Sequence, residues 1–281
     1  MPPTATPVTA TPDKSIHTIE YLSPPAPVSM GQHWFEIASL DHFWFRRRLA
    51  VLQRLADHRI SSACEVAEFG CGHGLLQRQV EDVYDRPVWG FDLNEGALRQ
   101  NASRRSQLYC YDVFQRDGAL RKRFDLIFLF DVLEHISDES SFLQAVLFHL
   151  ASGGSLLINV PAGQWAFSSY DDAVGHVRRY SIGTLQKVMA ANGLGLREWS
   201  YWGLPLVPSL MIRKIWVMAK HDQEKTITAG FDARSNVVNR MMAFLSRLEW
   251  LPQKFLGTSL MAIFERANQA ALGSPGKISG V

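Results

Sequence analysis

Residues 124–130 read FDLIFLF, six apolar residues in seven with no apolar–polar alternation. A strand with one wet face alternates. An unbroken apolar run of this length suits a strand buried on both faces, in a mostly parallel sheet covered by helices. The surrounding segments agree. Strand-like ACEVAEF (63–69), PVWGFD (87–92), QLYCYD (107–112) and GGSLLINV (153–160) alternate with helical patterns at 75–84, 95–104 and 138–150. That rhythm predicts an α/β, doubly wound sheet with right-handed crossovers and a ligand crevice at the carboxyl ends of its strands.

The 281 residues suffice for one large α/β domain with insertions, or two small domains. Seven of the thirteen prolines fall in residues 1–30, which predicts a disordered Pro/Thr-rich tail. Residues 31–60 predict a helical lid, aromatic in front and basic at Arg46, Arg47 and Arg48. The core is expected over 61–203 and again over 251–270, where SLMAIFER supplies a last strand. Between them, 204–250 predicts a helical insertion on the substrate side, with Val238, Met241, Met242, Leu245 and Leu248 at helical spacing. Residues 271–281 predict a second disordered tail.

The segment AEFGCGHGLL (67–76) places Gly70, Gly72 and Gly74 between an apolar strand and a helix. A strand, a glycine-rich turn and a helix, followed by an acid about twenty residues on, form the shared design of nucleotide-binding α/β folds. Asp92 is that acid, placed to accept ribose hydroxyls; the alternative is a helix cap. The dinucleotide pattern would need glycine at position 75, which is leucine. Glu68 disfavours a pyrophosphate and suits a ligand carrying an ammonium group. Asp112, ending the third strand, is placed for an adenine amino group, or as another cap.

VAEFGCGHG, GFD with Asp92, YDV with Asp112, FDLIFLFDVLEHI and GGSLLINVPA together resemble class I S-adenosylmethionine-dependent methyltransferases, in their small-molecule branch. The resemblance covers about residues 40–200 and implies a Rossmann-like sheet of seven strands, the last antiparallel. It implies S-adenosylmethionine as cofactor, its amino-acid part against Glu68, Gly70, Cys71, Gly72 and Gly74. Asp92 and Leu93 would hold the ribose, and Asp112 with Val113 the adenine. Phe130, Asp131 and His135 would line the cleft beside the sulfonium.

The loop AFSSYDDAVGHVRRYS (166–181) follows the fifth strand, where substrate enters. Trp165, Phe167 and Tyr170 are expected as apolar walls, with Arg178, Arg179 and Tyr180 as polar contacts. The arginines have a second reading, as fasteners of the loop onto Asp171 or Asp172. The GH-x-RRY segment resembles bacterial methyltransferases of lipid, glycan and specialised-metabolite pathways. A base is needed only if the acceptor loses a proton. His176 is the first candidate and His135 the second, because histidine titrates near neutrality. In the lid, Trp44 can face the sulfonium by cation–π attraction, and Arg46 or Arg47 can pair with the cofactor's carboxylate. An amphipathic helix with an aromatic inner face accounts for the same residues.

Partners follow from composition and surface pattern. A net charge of +2 is too mild for a nucleic-acid binder. Leu210, Met211, Ile215, Trp216 and Met218 beside Arg213 and Lys214 suit contact with a membrane surface, while the Met and Trp content of the 204–250 insertion suits an adaptable apolar pocket, ordinary core packing or a homodimer. The expected acceptor is small or amphiphilic and hydrophobic, methylated on oxygen or carbon. Three cysteines without zinc-like spacing, no secretory signal pattern and no apolar run long enough to span a bilayer predict a cytoplasmic protein without a metal. A nicotinamide-dependent reductase and a catalytically silent partner subunit are the competing readings. No Tyr-x-x-x-Lys pair follows the fifth strand, which counts against the first.

Overall fold

A computed structural model describes residues 18–28, 39–219 and 236–266. Eight strands form one sheet: β1 (Ile19–Tyr21), β2 (Val66–Phe69), β3 (Trp89–Asp92), β4 (Leu108–Cys110), β5 (Phe124–Phe130), β6 (Leu150–Pro161), β7 (Leu194–Trp202) and β8 (Ser259–Arg266). Their order is β1-β4-β3-β2-β5-β6-β8-β7, parallel except that β8 runs antiparallel to both its neighbours. The α/β doubly wound sheet is therefore as read from sequence, with one strand more than the seven expected.

The extra strand lies inside the segment expected to be a disordered tail. Ile19–Tyr21 pairs in parallel with Leu108–Cys110. Leu22 and Ser23 both donate their N–H to the Cys110 carbonyl, and Ala26 donates to Leu93. Backbone pairing compensates a segment too short and proline-rich to show strand periodicity. Residues 1–17, 29–38 and 267–281 lie outside the described residues, and with them most of both expected tails and the start of the lid.

β5 sits between β2 and β6, and its alternate residues face opposite ways. Ile127 and Leu129 join Phe69, Phe91, Leu143, Val146 and Phe264 in one core layer. Leu126, Phe128 and Phe130 join Val51, Leu52, Leu76, Trp202 and Ile263 in the other. The first layer is covered by α4 (Glu139–His149) and α6 (Ile182–Ala191). The second is covered by α1 (Phe43–Ser62) and α2 (Leu75–Tyr84). A strand packed on both sides leaves its ends as the place where polar chemistry meets water.

The predicted helix over 95–104 stops early: α3 is Glu95–Arg99. Glu81 on α2 captures the next turn, accepting from the backbone N–H of Arg104, Arg105 and Ser106 and from the Ser106 hydroxyl at 2.7–2.9 Å. Asn101 accepts from the Ser103 N–H at 2.8 Å. These bonds replace the helical ladder that would have continued.

After β6 come α5 (Ser169–Ala173) and, between β7 and β8, the helices α7 (Val207–Ala219) and α8 (Asn236–Arg247). Both insertion helices pack against the 204–206 turn; α7 also reaches α5, and α8 reaches α1. Glu249 anchors this assembly. Its carboxylate accepts from the N–H of Gly203 (3.0 Å) and Leu204 (2.8 Å) and pairs with Arg47 at 3.1 Å. No helix of the described residues is long and apolar enough to cross a membrane.

Glu249→Ala strands a guanidinium and two backbone donors in a buried place. It should cost about 3 kcal/mol, read as a lower denaturant midpoint in equilibrium unfolding.

Candidate active site

The glycine loop sits where β2 ends, between β3 and β5. Gly70, Gly72 and Gly74 all have left-handed φ, of 77°, 50° and 66°. A Cβ on Gly70 would collide with Val132, and one on Gly74 with the Asn101 amide, so space and conformation both demand glycine. Gly70 and Cys71 hang their N–H groups on the Phe91 carbonyl, which turns the loop over the tip of β3. Asp92 then accepts from Gly72 N–H at 2.7 Å and from Asn94 N–H at 2.8 Å, one bond per oxygen. Each oxygen keeps a lone pair for a ligand hydroxyl.

Asp112 accepts from Phe114 N–H at 3.0 Å and so caps its own turn, leading into the buried Val113. Its backbone N–H donates to Ser23 at 2.6 Å. With the bond from Ala26 to Leu93, the 22–26 segment lies along the side of the crevice where Asp92 and Asp112 stand. Nothing in the composition of that proline-rich stretch pointed there.

Glu68 is buried and one of its carboxylate oxygens has no partner. Burial, with Asp92 and Asp131 nearby, pushes its pKa up to about 8, against the pull of Arg48. Burial raises Asp92 as well. Cys71 is held as a thiol, since burial and Asp92 push its pKa well up, so it is no thiolate nucleophile.

At the end of β5, Asp131 adopts φ 57°, a strained conformation for a side chain other than glycine. Arg48 donates to its carboxylate at 2.8 Å, and Asn159 donates at 2.7 Å. The Arg48 guanidinium rests on the rings of Trp44, Phe45 and Phe130, 5.0–5.3 Å from each centroid. Trp44 is thus in the cluster beside Asp131, but it packs on Arg48 and Trp202. Arg47, expected at the cofactor, is instead committed to Glu249. The buried lid arginine is Arg48, and its partner is the protein's own Asp131. Arg48 falls four residues after Trp44 and four before Leu52, on the helix's buried stripe, and that spacing was the overlooked signal.

Beyond Asp131 the loops bring together Glu134, His135, Asp171, His176 and Arg179. His176 Nδ1 donates to Asp171 at 2.9 Å, and Arg179 Nε donates to the same oxygen at 2.7 Å. Burial opposes ionisation of Asp171, but these two partners hold its carboxyl below the usual range. An ionised Asp171 fixes the proton on Nδ1 and leaves Nε2 as the acceptor. Nε2 lies 4.0 Å from Glu134, whose pKa burial and Asp131 push well up. His135 stands edge-to-face to His176 with centroids 4.8 Å apart, its Nδ1 on the Gly175 carbonyl. Burial and His176 lower the pKa of His135 to about 4. The donor atoms of Glu134, His135 and His176 lie within 4.8 Å of one another, a looser set than one first-row cation with bonds of about 2.1 Å would draw in.

The expected substrate wall is thinner than the sequence suggested. Trp165 is exposed and Phe167 half-buried, but Tyr170 is buried. Arg178 pairs with Glu139 at 2.8 Å, Tyr180 donates its hydroxyl to Glu139 and Leu133, and Arg179 is taken by Asp171. These three fasten the loop to α4 and to itself. Leu210 is buried and Ile215 exposed; the side chains of Arg213, Trp216, Met218 and Val238 lie outside the described residues.

Residues 40–198, more than half of the chain, match the family model for a methyltransferase domain. The chain belongs to that methyltransferase family. A probable S-adenosylmethionine-dependent methyltransferase of Mycolicibacterium smegmatis is 32% identical over 167 residues, 56% of this chain and 62% of that one. One of Mycobacterium tuberculosis is 28% identical over 140 residues, half of each chain. The matches thus span about half to three-fifths of those curated relatives. Among solved structures, a SAM dependent methyltransferase from Archaeoglobus fulgidus has a TM-score of 0.52 at 16% identity, covering 83% of this chain and 99% of that one. Magnesium protoporphyrin IX methyltransferase from Synechocystis PCC 6803, solved with bound SAH, has 0.51 at 13%, covering 84% and 93%. The sheet has the fold of these structures, and the cofactor is S-adenosylmethionine.

This methyltransferase's own residues fit that group. The glycine cradle has no room for a Cβ, Asp92 keeps two acceptor positions, and Glu68 carries a buried, unpartnered oxygen suited to an ammonium. Because Glu68 holds a proton up to about pH 8, an ammonium-bearing ligand must expel it. Affinity for S-adenosylhomocysteine should therefore rise about tenfold between pH 6.5 and 8.5. Titration calorimetry on Glu68→Gln should show most of that slope gone; equal slopes in both proteins would refute the assignment.

Proposed function

We propose that this chain methylates a hydrophobic or amphiphilic acceptor at an oxygen or an acidic carbon, with His176 taking the acceptor's proton. The Asp171–His176 pair carries this reading. A base is superfluous for an amine that is already neutral or for a thiolate. It is needed when a hydroxyl or C–H proton must leave as the bond to carbon forms. Asp171 is itself fixed by Arg179 and by the Ser168 N–H at 2.9 Å, so the imidazole is oriented before any acceptor arrives.

S-adenosylmethionine, when bound, supplies a methyl carbon made electrophilic by its sulfonium. Glu68, Asp92, Asp112 and Val113 would hold it, on the same carboxyl ends of the strands that bear Asp131. Burial outweighs the nearby arginines and raises the pKa values of Glu68, Asp92, Asp131 and Glu134, so a cationic guest gains by drawing these acids into their ionised forms. His135, with a pKa near 4, is a weak base at neutral pH. We therefore assign the base to His176 and a wall of the cleft to His135.

An apolar acceptor is supported by the rim. Trp165, Val177 and Leu204 are each at least 40% exposed, and α7 crosses beside them with Ile212 and Ile215 outward. The relatives carry S-adenosylmethionine in their names, and nothing in the site favours a nicotinamide.

His176→Gln should lower turnover by about 10²- to 10⁴-fold while S-adenosylhomocysteine affinity stays within about twofold. Radiolabelled methyl transfer to a panel of phenolic, prenylated and sugar acceptors provides the assay. Transfer only to polar sugars, or an unaffected His176→Gln, would contradict the reading.

A further inference from the structure

The outer face of α8 is apolar and basic at once. At 100° per residue, Arg247, Arg240, Phe244 and Met241 fall within an arc of about 120°, and Leu248 follows in the turn that ends the helix. Phe244 is 62% exposed, Leu248 68% and Met241 51%. The opposite side is engaged: Ser246 is buried, and the Asn239 amide bonds to the backbone of Phe43 and Asp41 near the start of α1. The outward orientation is therefore fixed by packing. Directly after the helix, Trp250 is 85% exposed and Phe255 87%.

Such an array of large apolar side chains is unusual for a face that meets only water. The charges on the helix face, Arg240 and Arg247, have one sign. Residues 236–258 contain Arg240, Arg247 and Lys254 but a single acid, Glu249, which is buried and shared among Arg47, Gly203 and Leu204. Aromatic and aliphatic groups with arginines on one helix face match the interfacial plane of a bilayer carrying anionic headgroups.

We propose that the outer face of α8, with Trp250 and Phe255, docks this protein on an anionic lipid surface. The charge pattern disfavours a second copy of the chain, because a two-fold contact centred on this face would bring the arginines of the two copies together. The face differs from the stretch on α7 that the sequence suggested, where Leu210 is buried. α8 shares the 204–206 turn with α7, which flanks the cleft entrance, so docking would bring the acceptor loop near the lipid.

The test is co-sedimentation of the full chain with vesicles of phosphatidylcholine, with and without phosphatidylglycerol. It needs neither cofactor nor acceptor, so its failure leaves the methyl-transfer reading standing. Wild type should pellet with phosphatidylglycerol vesicles and remain largely in solution with phosphatidylcholine alone. Arg240→Glu/Arg247→Glu and Phe244→Ser/Trp250→Ser should each lower the bound fraction about tenfold or more, with S-adenosylhomocysteine binding retained as the check on folding. Wild type left in the supernatant, or both variants binding like wild type, would overturn the proposal. So would a dimer in light scattering that the same variants dissolve.

Discussion

A buried guanidinium on α1 and a carboxylate at the tip of the central strand hold the functional end of this molecule together. Arg48 reaches Asp131 at 2.8 Å across a floor of three aromatic rings. Asn159 takes the other carboxylate oxygen and in turn accepts from the buried Trp202 indole at 2.9 Å. One network therefore ties α1, β5, β6 and β7. Removing Arg48 alone would leave Asp131 uncompensated, at a cost of about 3 kcal/mol. The strained backbone at Asp131 persists because these partners over-determine it.

The same pair sets the charge of the crevice. Arg48 lies between Glu68 and Asp131 and opposes the rise of both pKa values, yet burial prevails and both stay raised. A cleft that holds more carboxyl groups than it can neutralise is prepared for a cation. On the other side of Asp131, the shared oxygen of Asp171 gives His176 and Arg179 a fixed geometry. The glycine-loop side and the Asp171–His176 side are thus built from different loops and joined through one strand end.

The sheet was legible because its strands are short apolar runs separated by helical periodicity, and the glycine loop because three close glycines leave few alternatives. Asp92 and Asp112 were legible by position at strand ends. Less readable were features whose partners are distant in sequence. Tyr180 and Arg178 looked available for substrate until Glu139, about forty residues earlier, proved to hold both. β1 has only three residues and owes its strand character to β4. Arg48 was readable but hidden among three arginines, where only the helical stripe separates the buried one from its neighbours.

The central claim is that the crevice at the glycine loop is a site for S-adenosylmethionine governed by Asp92. Isothermal titration of wild type and Asp92→Ala with S-adenosylmethionine, S-adenosylhomocysteine and NADPH tests it most directly. The account predicts that the two sulfur compounds bind wild type, that NADPH does not, and that Asp92→Ala weakens binding at least about tenfold while remaining folded. Binding of NADPH instead, or an Asp92→Ala protein that binds as wild type does, would contradict it.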